Sequence, residues 1–192
     1  MTGDGTAYKI GCILPTSGYE TRHGRTQWLA VQLALDESRA ALALPFKVEL
    51  AFGDDAGDPR RAADVARACA ADPAVLGVVG PMNSDTNVAA GAIFEEAGLA
   101  HIATAASNPG LSQRGWRTFF RVVPSDIHQY RDAARYAVQI LGARRIAVVN
   151  DGTSFGLPMA EGFRDVATQL GAEICTFLTV AMDAEDYSDA VA

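Results

Sequence analysis

Val75-Leu76-Gly77-Val78-Val79-Gly80-Pro81-Met82-Asn83-Ser84-Asp85, continuing through Ala97-Gly98 to Leu99-Ala100-His101-Ile102-Ala103, reads as strand, helix, strand. Val75–Val79 is an unbroken apolar run, too short for a helix and bounded by Gly80-Pro81. Asp85–Ala97 carries the helix, and Gly98 stands where a left-handed residue stops one. Leu99–Ala103 is the second strand. Two strands joined by a helical crossover predict parallel neighbours in one sheet, connected right-handedly.

The same alternation runs along the rest of the chain. Upstream, Tyr8–Leu14 is a buried-strand pattern. Gly24 to about Ala43 places Trp28, Val31, Gln32 and Leu35 at helical spacing, with Leu29, Leu33 and Ala34 widening the stripe. Phe46–Phe52 alternates with a period of two. Asp58-Pro59 is an N-cap with proline at the first helical position, opening a helix to about Ala70. Downstream, Thr118–Val122 is a strand, with the turn cluster Asn108-Pro109-Gly110 before it. A helix from Ser125 to about Leu141 follows, then the strand Arg145–Val149, the helix Ser154–Leu170 and the strand Glu173–Val180. Asp186 begins one more helix. The fold class is therefore α/β, a parallel sheet covered by helices on both faces. Val122-Val123-Pro124-Ser125, a strand running into proline, divides the chain into residues 1–123 and 124–192. Only two strands follow that division, so the second lobe reads as incomplete.

Composition narrows the function. The 192 residues carry 16 basic and 23 acidic side chains, a net charge of −7, and 49% are apolar. That balance, with no Lys/Arg cluster, argues against nucleic acid or an anionic membrane as partner. No apolar run approaches the roughly 18 residues of a membrane span, so direct membrane insertion is not expected. Met1–Thr6 lack the basic-then-apolar pattern of a signal peptide, which fits either a cytoplasmic chain or one whose leader precedes this numbering. Cys12, Cys69 and Cys175 are too scattered for a disulfide framework or a metal cluster and read as small apolar fillers.

Ligands in such sheets gather at the carboxyl ends of the strands, here the loops after Leu14, Phe52, Val79, Ala103 and Val149. Enzyme chemistry fits them poorly. Gly152-Thr153-Ser154-Phe155-Gly156 matches G-x-S-x-G, but a hydrolase of that type needs its histidine after the serine, and His23, His101 and His128 all precede it. Thr153 or Ser154 capping the next helix is the simpler reading. Asp54-Asp55 with Asp58 could hold Mg²⁺ for phosphoryl chemistry. That chemistry also wants a lysine at a later strand end, and Lys9 and Lys47 are the only two lysines. Asp55 and Asp58 are better read as shaping a turn and capping a helix. Neither G-x-G-x-x-G nor G-x-x-x-x-G-K-[ST] occurs, so nucleotide cofactors lose their usual cradle. His101 and His128 read as a core and a surface histidine. No catalytic residue, cofactor or metal is expected. What remains is Thr16-Ser17-Gly18, Asn83-Ser84-Asp85-Thr86 and Ala105-Ala106-Ser107-Asn108 at three strand ends, where hydroxyls and helix N-termini make a neutral seat for a carboxylate.

Several short pieces occur in one order. They are Tyr8-Lys9-Ile10-Gly11 through Pro15 and Gly18, Gly53-Asp54-Asp55-Ala56-Gly57-Asp58-Pro59, Val78-Val79-Gly80-Pro81, Ala97-Gly98, and Ala106-Ser107-Asn108-Pro109. Phe119-Phe120-Arg121, Asn150 through Gly156, and Asp186-Tyr187-Ser188 follow. In that order they resemble the periplasmic solute-binding proteins of the branched-chain amino acid (leucine/isoleucine/valine) transport family, which have the type I binding fold. The resemblance implies two α/β lobes that close on a small ligand like a flytrap. Residues 1–123 would be the N-terminal ligand-binding lobe without its returning C-terminal segment, and 124–192 a partial second lobe. The sequence is then expected to be the N-terminal portion of a longer member, binding weakly or not at all by itself.

The implied function is non-catalytic: binding a branched-chain amino acid, or a related amide, urea-like or aromatic-acid ligand, for a membrane ABC permease. The implied location is the periplasm or cell surface. The alternative is a ligand-sensing module of a signalling or transcription-control protein, cytoplasmic in that case. By the resemblance, Ser84 binds the ligand carboxylate through hydroxyl and N–H, and the carbonyl of Ala105 accepts from the ammonium. Ser107, where the family usually has threonine, faces both groups. Phe155 replaces a covering tyrosine, and His23 replaces an aromatic on the loop after the first strand. The family's disulfide between the loops at Gly57 and Asn83 has neither cysteine here. Asp85 beside the carboxylate seat is expected to cost about 1–2 kcal/mol of anion affinity unless it points away.

Overall fold

The computed structural model describes residues 7–42, 44, 46–181, 187 and 188. The end of the first expected helix at Ala43, and Asp186 with the helix expected from it, lie outside the described residues. The chain runs β1 (Ala7–Leu14), α1 (Thr21–Ala41), β2 (Lys47–Asp54), α2 (Pro59–Ala71), β3 (Val75–Val79), α3 (Ser84–Ala97), β4 (His101–Ala103) and α4 (Pro109–Ser112). It continues through β5 (Phe119–Arg121), α5 (Asp126–Arg135), β6 (Arg145–Asn150), α6 (Gly156–Gln169) and β7 (Glu173–Thr179). By its contacts the chain forms two units. One comprises Met1–Ala106 and Leu111–Val123, and the other Ser107–Gly110 and Pro124–Ala192.

The first unit is built on a five-stranded sheet in the order β2-β1-β3-β4-β5, with every pairing parallel. Side chains alternate between its faces. Ile13, Val75 and Val78 pack with Ala66 and Cys69 of α2 and Ala90 and Phe94 of α3. Cys12 and Leu14 point the other way, toward Trp28 and Val31 of α1. Helices thus flank both faces, and the sheet order changes direction between β1 and β3. At such a switch the two following loops diverge and leave a crevice.

Local chemistry explains the boundaries. Asp58 Oδ1 accepts from the N–H groups of Arg60 and Arg61, so the cap and Pro59 start α2 as expected. Gly98, at φ 66°, ends α3. α1 starts at Thr21, ahead of the expected Gly24, because its first turn carries no apolar residue for the periodicity to register. Its stripe is also narrower than expected: Trp28, Val31 and Leu35 are half-buried, whereas Gln32, Leu29 and Leu33 are exposed. The Asn108-Pro109-Gly110 cluster opens a four-residue helix, α4, in place of a plain turn, with Asn108 Oδ1 accepting from the Gly110 N–H at 2.7 Å.

In the second unit β6 and β7 pair in parallel as a two-stranded sheet. Ile146 and Ile174 pack with Ala134, Val138, Phe163 and Ala167 of the helical layer. The expected long helix from Ser125 is α5 followed by a π-helical turn over Tyr136–Ile140, closed before Gly142 at φ 69°. Cys175 is the extra residue where the β6–β7 register shifts, between Ile174 opposite Ile146 and Thr176 opposite Ala147, and it is exposed. It is not the apolar filler expected. Cys12 and Cys69 are buried, and burial, with Cys69 nearby, pushes the Cys12 thiol up to about 12.

Candidate functional site

At the carboxyl end of the first sheet, the loops after β1 and β2 are bonded to one another. After β1, the backbone N–H groups of Thr16 (2.9 Å) and Ser17 (3.2 Å) donate to Asp54 Oδ1, and the Ser17 hydroxyl donates to Asp54 Oδ2 at 2.5 Å. Asp54 ends β2, and its Oδ1 also accepts from the Ala56 N–H at 3.0 Å. Burial pushes the Asp54 carboxyl upward, but the hydrogen bonds from Ser17, Ala56 and Thr16 outweigh it and hold the group below its usual range. Its neighbour goes the other way. Asp55 is fully buried, with Oδ1 accepting from Gly57 N–H and Oδ2 without a partner. Burial, with Asp54 and Asp58 nearby, pushes it up to about 6. Asp54, Asp55 and Asp58 are thus occupied in shaping the loop and capping α2. Among the described residues no three or more His, Cys, Asp or Glu side chains are placed to hold a metal ion.

After β3, Gly80–Asn83 leads into α3. The Asn87 side-chain amide donates to the carbonyls of Pro81 (2.9 Å) and Asn83 (2.8 Å), and the Thr86 hydroxyl donates to Asn83 O at 2.9 Å. Both side chains are fully buried. This clamp was not anticipated. The signal was a pair of polar residues, Thr86 and Asn87, within the first turns of an otherwise Ala-rich helix. Ser84 is the first residue of α3, 4% exposed, and its hydroxyl has no hydrogen-bond partner. Asn83 supplies no side-chain cap. The Ser84 hydroxyl is thus a buried polar group at a helix N-terminus that the chain itself leaves unsatisfied.

Three expected residues stand on segments that follow adjacent strands of this sheet: His23 after β1, Ser84 after β3 and Ala105 after β4. His23 lies in the first turn of α1, not in the loop as expected, because the helix begins at Thr21. Its Nδ1 pairs with Glu20 Oε2 at 2.8 Å. Ala105 is exposed. Asp85 is half-buried in the first turn of α3, where a negative charge complements the helix dipole. Ser107 and Phe155 belong to the second unit. There the Ser107 carbonyl accepts from the Asp126 N–H at 3.1 Å, and the Asn108 side chain donates to the Ser154 carbonyl. Segment 107–110 is thereby tied to the loop that carries Phe155, which is 42% exposed. Thr153 Oγ1 accepts from the N–H of Gly156, the first residue of α6, at 2.9 Å, but the N-cap position itself is Phe155, which supplies no side-chain cap.

The histidines are a core and a surface residue as read: His128 is exposed on α5, and His101 is fully buried on β4. Neither ring nitrogen of His101 has a partner; the ring lies between Phe94 (4.8 Å) and Phe119 (5.3 Å). Burial lowers it to about 4, against a smaller opposing pull from Glu95. A cavity of about 970 Å³ lies between α1 and the sheet, lined by Ile10, Val31, Leu35, Leu50 and Val79. It is apolar, and Gln27 and Thr104 in its wall are bonded to one another at 2.6 Å.

The model of the periplasmic binding protein family matches residues 7–192. An amino acid binding protein of Pseudomonas aeruginosa is 27% identical over 180 residues, 93% of this chain and 48% of that protein. A Streptococcus pneumoniae branched-chain amino acid transporter substrate-binding protein, solved with isoleucine, superposes with a TM-score of 0.87. It is 26% identical and matches 96% of this chain and 53% of its own. A leucine-binding protein from Thermotoga maritima gives a TM-score of 0.88 at 27% identity, over 96% of this chain and 52% of its own. The chain thus spans about half the length of the relatives it matches.

Proposed function

The chain belongs to the periplasmic binding protein family, and from that premise we propose that it carries the amino-acid seat of a solute-binding protein for branched-chain amino acids. Bound ligand would be handed to a membrane ABC permease outside the cytoplasm, without chemical change. The observation that carries the reading is the buried, unpartnered hydroxyl of Ser84 at the start of α3. A carboxylate there would accept from that hydroxyl and from first-turn N–H groups, and the helix dipole favours its charge. The carbonyl of Ala105 would take the ammonium, and His23 would border the side chain. Phe155, from residues 124–192, would cover the ligand, and Ser107, on the loop after β4, would add a hydroxyl and an N–H. A ligand that both lobes (1–123 and 124–192) grip would favour a closed state over an open one. The relatives' names are those of binding proteins for transport, and nothing among them supports the sensing role.

Nitrogen-15 spectra of the chain titrated with L-leucine and with L-leucinamide test the seat. A contact worth about 4 kcal/mol corresponds to a Kd of about 1 mM, so the ligands are added at millimolar concentration. Leucine is expected to give saturable shifts at the amides of Ser84–Asn87, and leucinamide, which lacks the carboxylate, at least about tenfold weaker ones. Equal responses to both ligands would refute a carboxylate seat.

A further inference from the structure

Asp54 is the point where the loops after β1 and β2 meet. Its carboxylate takes the N–H groups of Thr16 and Ser17 and the Ser17 hydroxyl from the loop after β1, and the Ala56 N–H from its own loop. Gly18 lies so close to this loop that a Cβ on it would stand 2.6 Å from the Ala56 carbonyl oxygen. The first turn of α1 is fastened to the same segment. The Thr21 hydroxyl donates to Gly18 O at 2.5 Å, and Arg25 Nε donates to Thr16 O at 3.3 Å. Gly24 abuts Pro15, where a Cβ would come within 2.1 Å of the carbonyl oxygen. The position of α1's first turn therefore passes through Thr16–Gly18 to one carboxylate, 38 residues away from Thr16 in sequence.

We propose that Asp54 is a positioning residue for the amino-acid seat: it holds the β1–α1 loop, and with it the first turn of α1 and His23, in register with the α3 N-terminus. This rests on the seat proposed above. The bonds are of the charge-assisted kind, several on one acceptor. Neutral asparagine keeps one oxygen for the three N–H donors, whereas alanine keeps none.

The experiment compares the full chain with Asp54→Ala, Asp54→Asn, Ser17→Ala and Ser84→Ala, by amide hydrogen exchange and by nitrogen-15 titration with L-leucine. In Asp54→Ala, exchange at Thr16, Ser17 and Thr21–Arg25 is expected to speed up by about tenfold or more, with α3 amides unchanged. Asp54→Asn is expected to restore most of the protection. With leucine, Asp54→Ala loses the response at His23 while keeping that at Ser84, whereas Ser84→Ala weakens both with thermal stability unchanged. A general structural role would instead weaken both responses together with thermal stability. If Asp54→Ala does not fold, Ser17→Ala, which removes one of the four bonds, carries the same exchange test at a smaller size. Unchanged exchange at Thr16–Arg25 in Asp54→Ala, or in Ser17→Ala where that variant stands in, would overturn the proposal, as would a His23 response identical to wild type. Absence of any leucine response in the wild-type chain would count against the seat and leave the exchange result to decide the role of Asp54.

Discussion

Replacing His101 with leucine should make the first unit more stable, and increasingly so as the pH falls. The ring is fully buried between Phe94 and Phe119 with both nitrogens unpartnered. Each unsatisfied polar group of this kind costs about 1–3 kcal/mol, and a hydrophobic swap of similar volume costs under about 1.5. The net expectation at pH 7 is a gain of about 1–2 kcal/mol. The pH term follows from linkage. The folded pKa of about 4 lies below the ordinary 6.5, so the unfolded chain binds the proton first, and wild-type stability is lost as pH falls from 6.5 toward 4. The difference of about 2.5 units corresponds to about 3 kcal/mol. His101→Leu escapes that loss, and titrations of other groups cancel between the two proteins. Both tryptophans, Trp28 and Trp116, lie in the first unit, so urea unfolding followed by their fluorescence reports on this unit alone. With a slope near 1.5 kcal/mol per molar urea, the midpoint gap should widen by about 2 M between pH 7 and pH 4. A gap that stays constant across that range would refute a histidine held neutral by burial.

Four further substitutions bear on other parts of the account. Asp55→Asn should show the opposite pH trend. The folded pKa of about 6 lies above the ordinary 3.8, so wild-type stability is lost as pH rises through that window. The variant should therefore gain about 2–3 kcal/mol on wild type between pH 4 and pH 7 in the same urea assay. Gly24→Ala should cost the first unit about 3 kcal/mol or more, because its Cβ would meet the Pro15 carbonyl. Gly98→Ala, where only a φ of 66° opposes the side chain, should cost about 1 kcal/mol. Asn108→Ala removes bonds to Ser154 and Gly110. It should lower protection of α6 amides by about 1–2 kcal/mol in hydrogen exchange and leave the tryptophan-monitored transition unchanged.

Features written in neighbouring residues were legible beforehand. Asp58-Pro59 announced α2, Gly98 closed α3, and the alternation of apolar runs with helices gave a parallel sheet. Ser84 was singled out by the family resemblance, since a hydroxyl at a strand-to-helix junction is by itself a common capping pattern. The bonds of Asp54 to Thr16 and Ser17 could not be read beforehand, since they join residues that only the folded sheet brings together. The orphaned nitrogens of His101 depend likewise on which side of β4 faces α3. Cys175 was misjudged for a similar reason: composition places cysteine inside, but a register shift between β6 and β7 leaves this one exposed.

The central claim is that Ser84 was left without a partner so that a ligand carboxylate could take that place. The most direct measurement sets wild type beside Ser84→Ala in a single leucine titration, with thermal unfolding recorded on both. The account predicts thermal stability within about 0.5 kcal/mol of wild type, since no bond is lost, together with disappearance of the leucine-dependent shifts at the start of α3. Leucine shifts that persist at those amides in Ser84→Ala would contradict it.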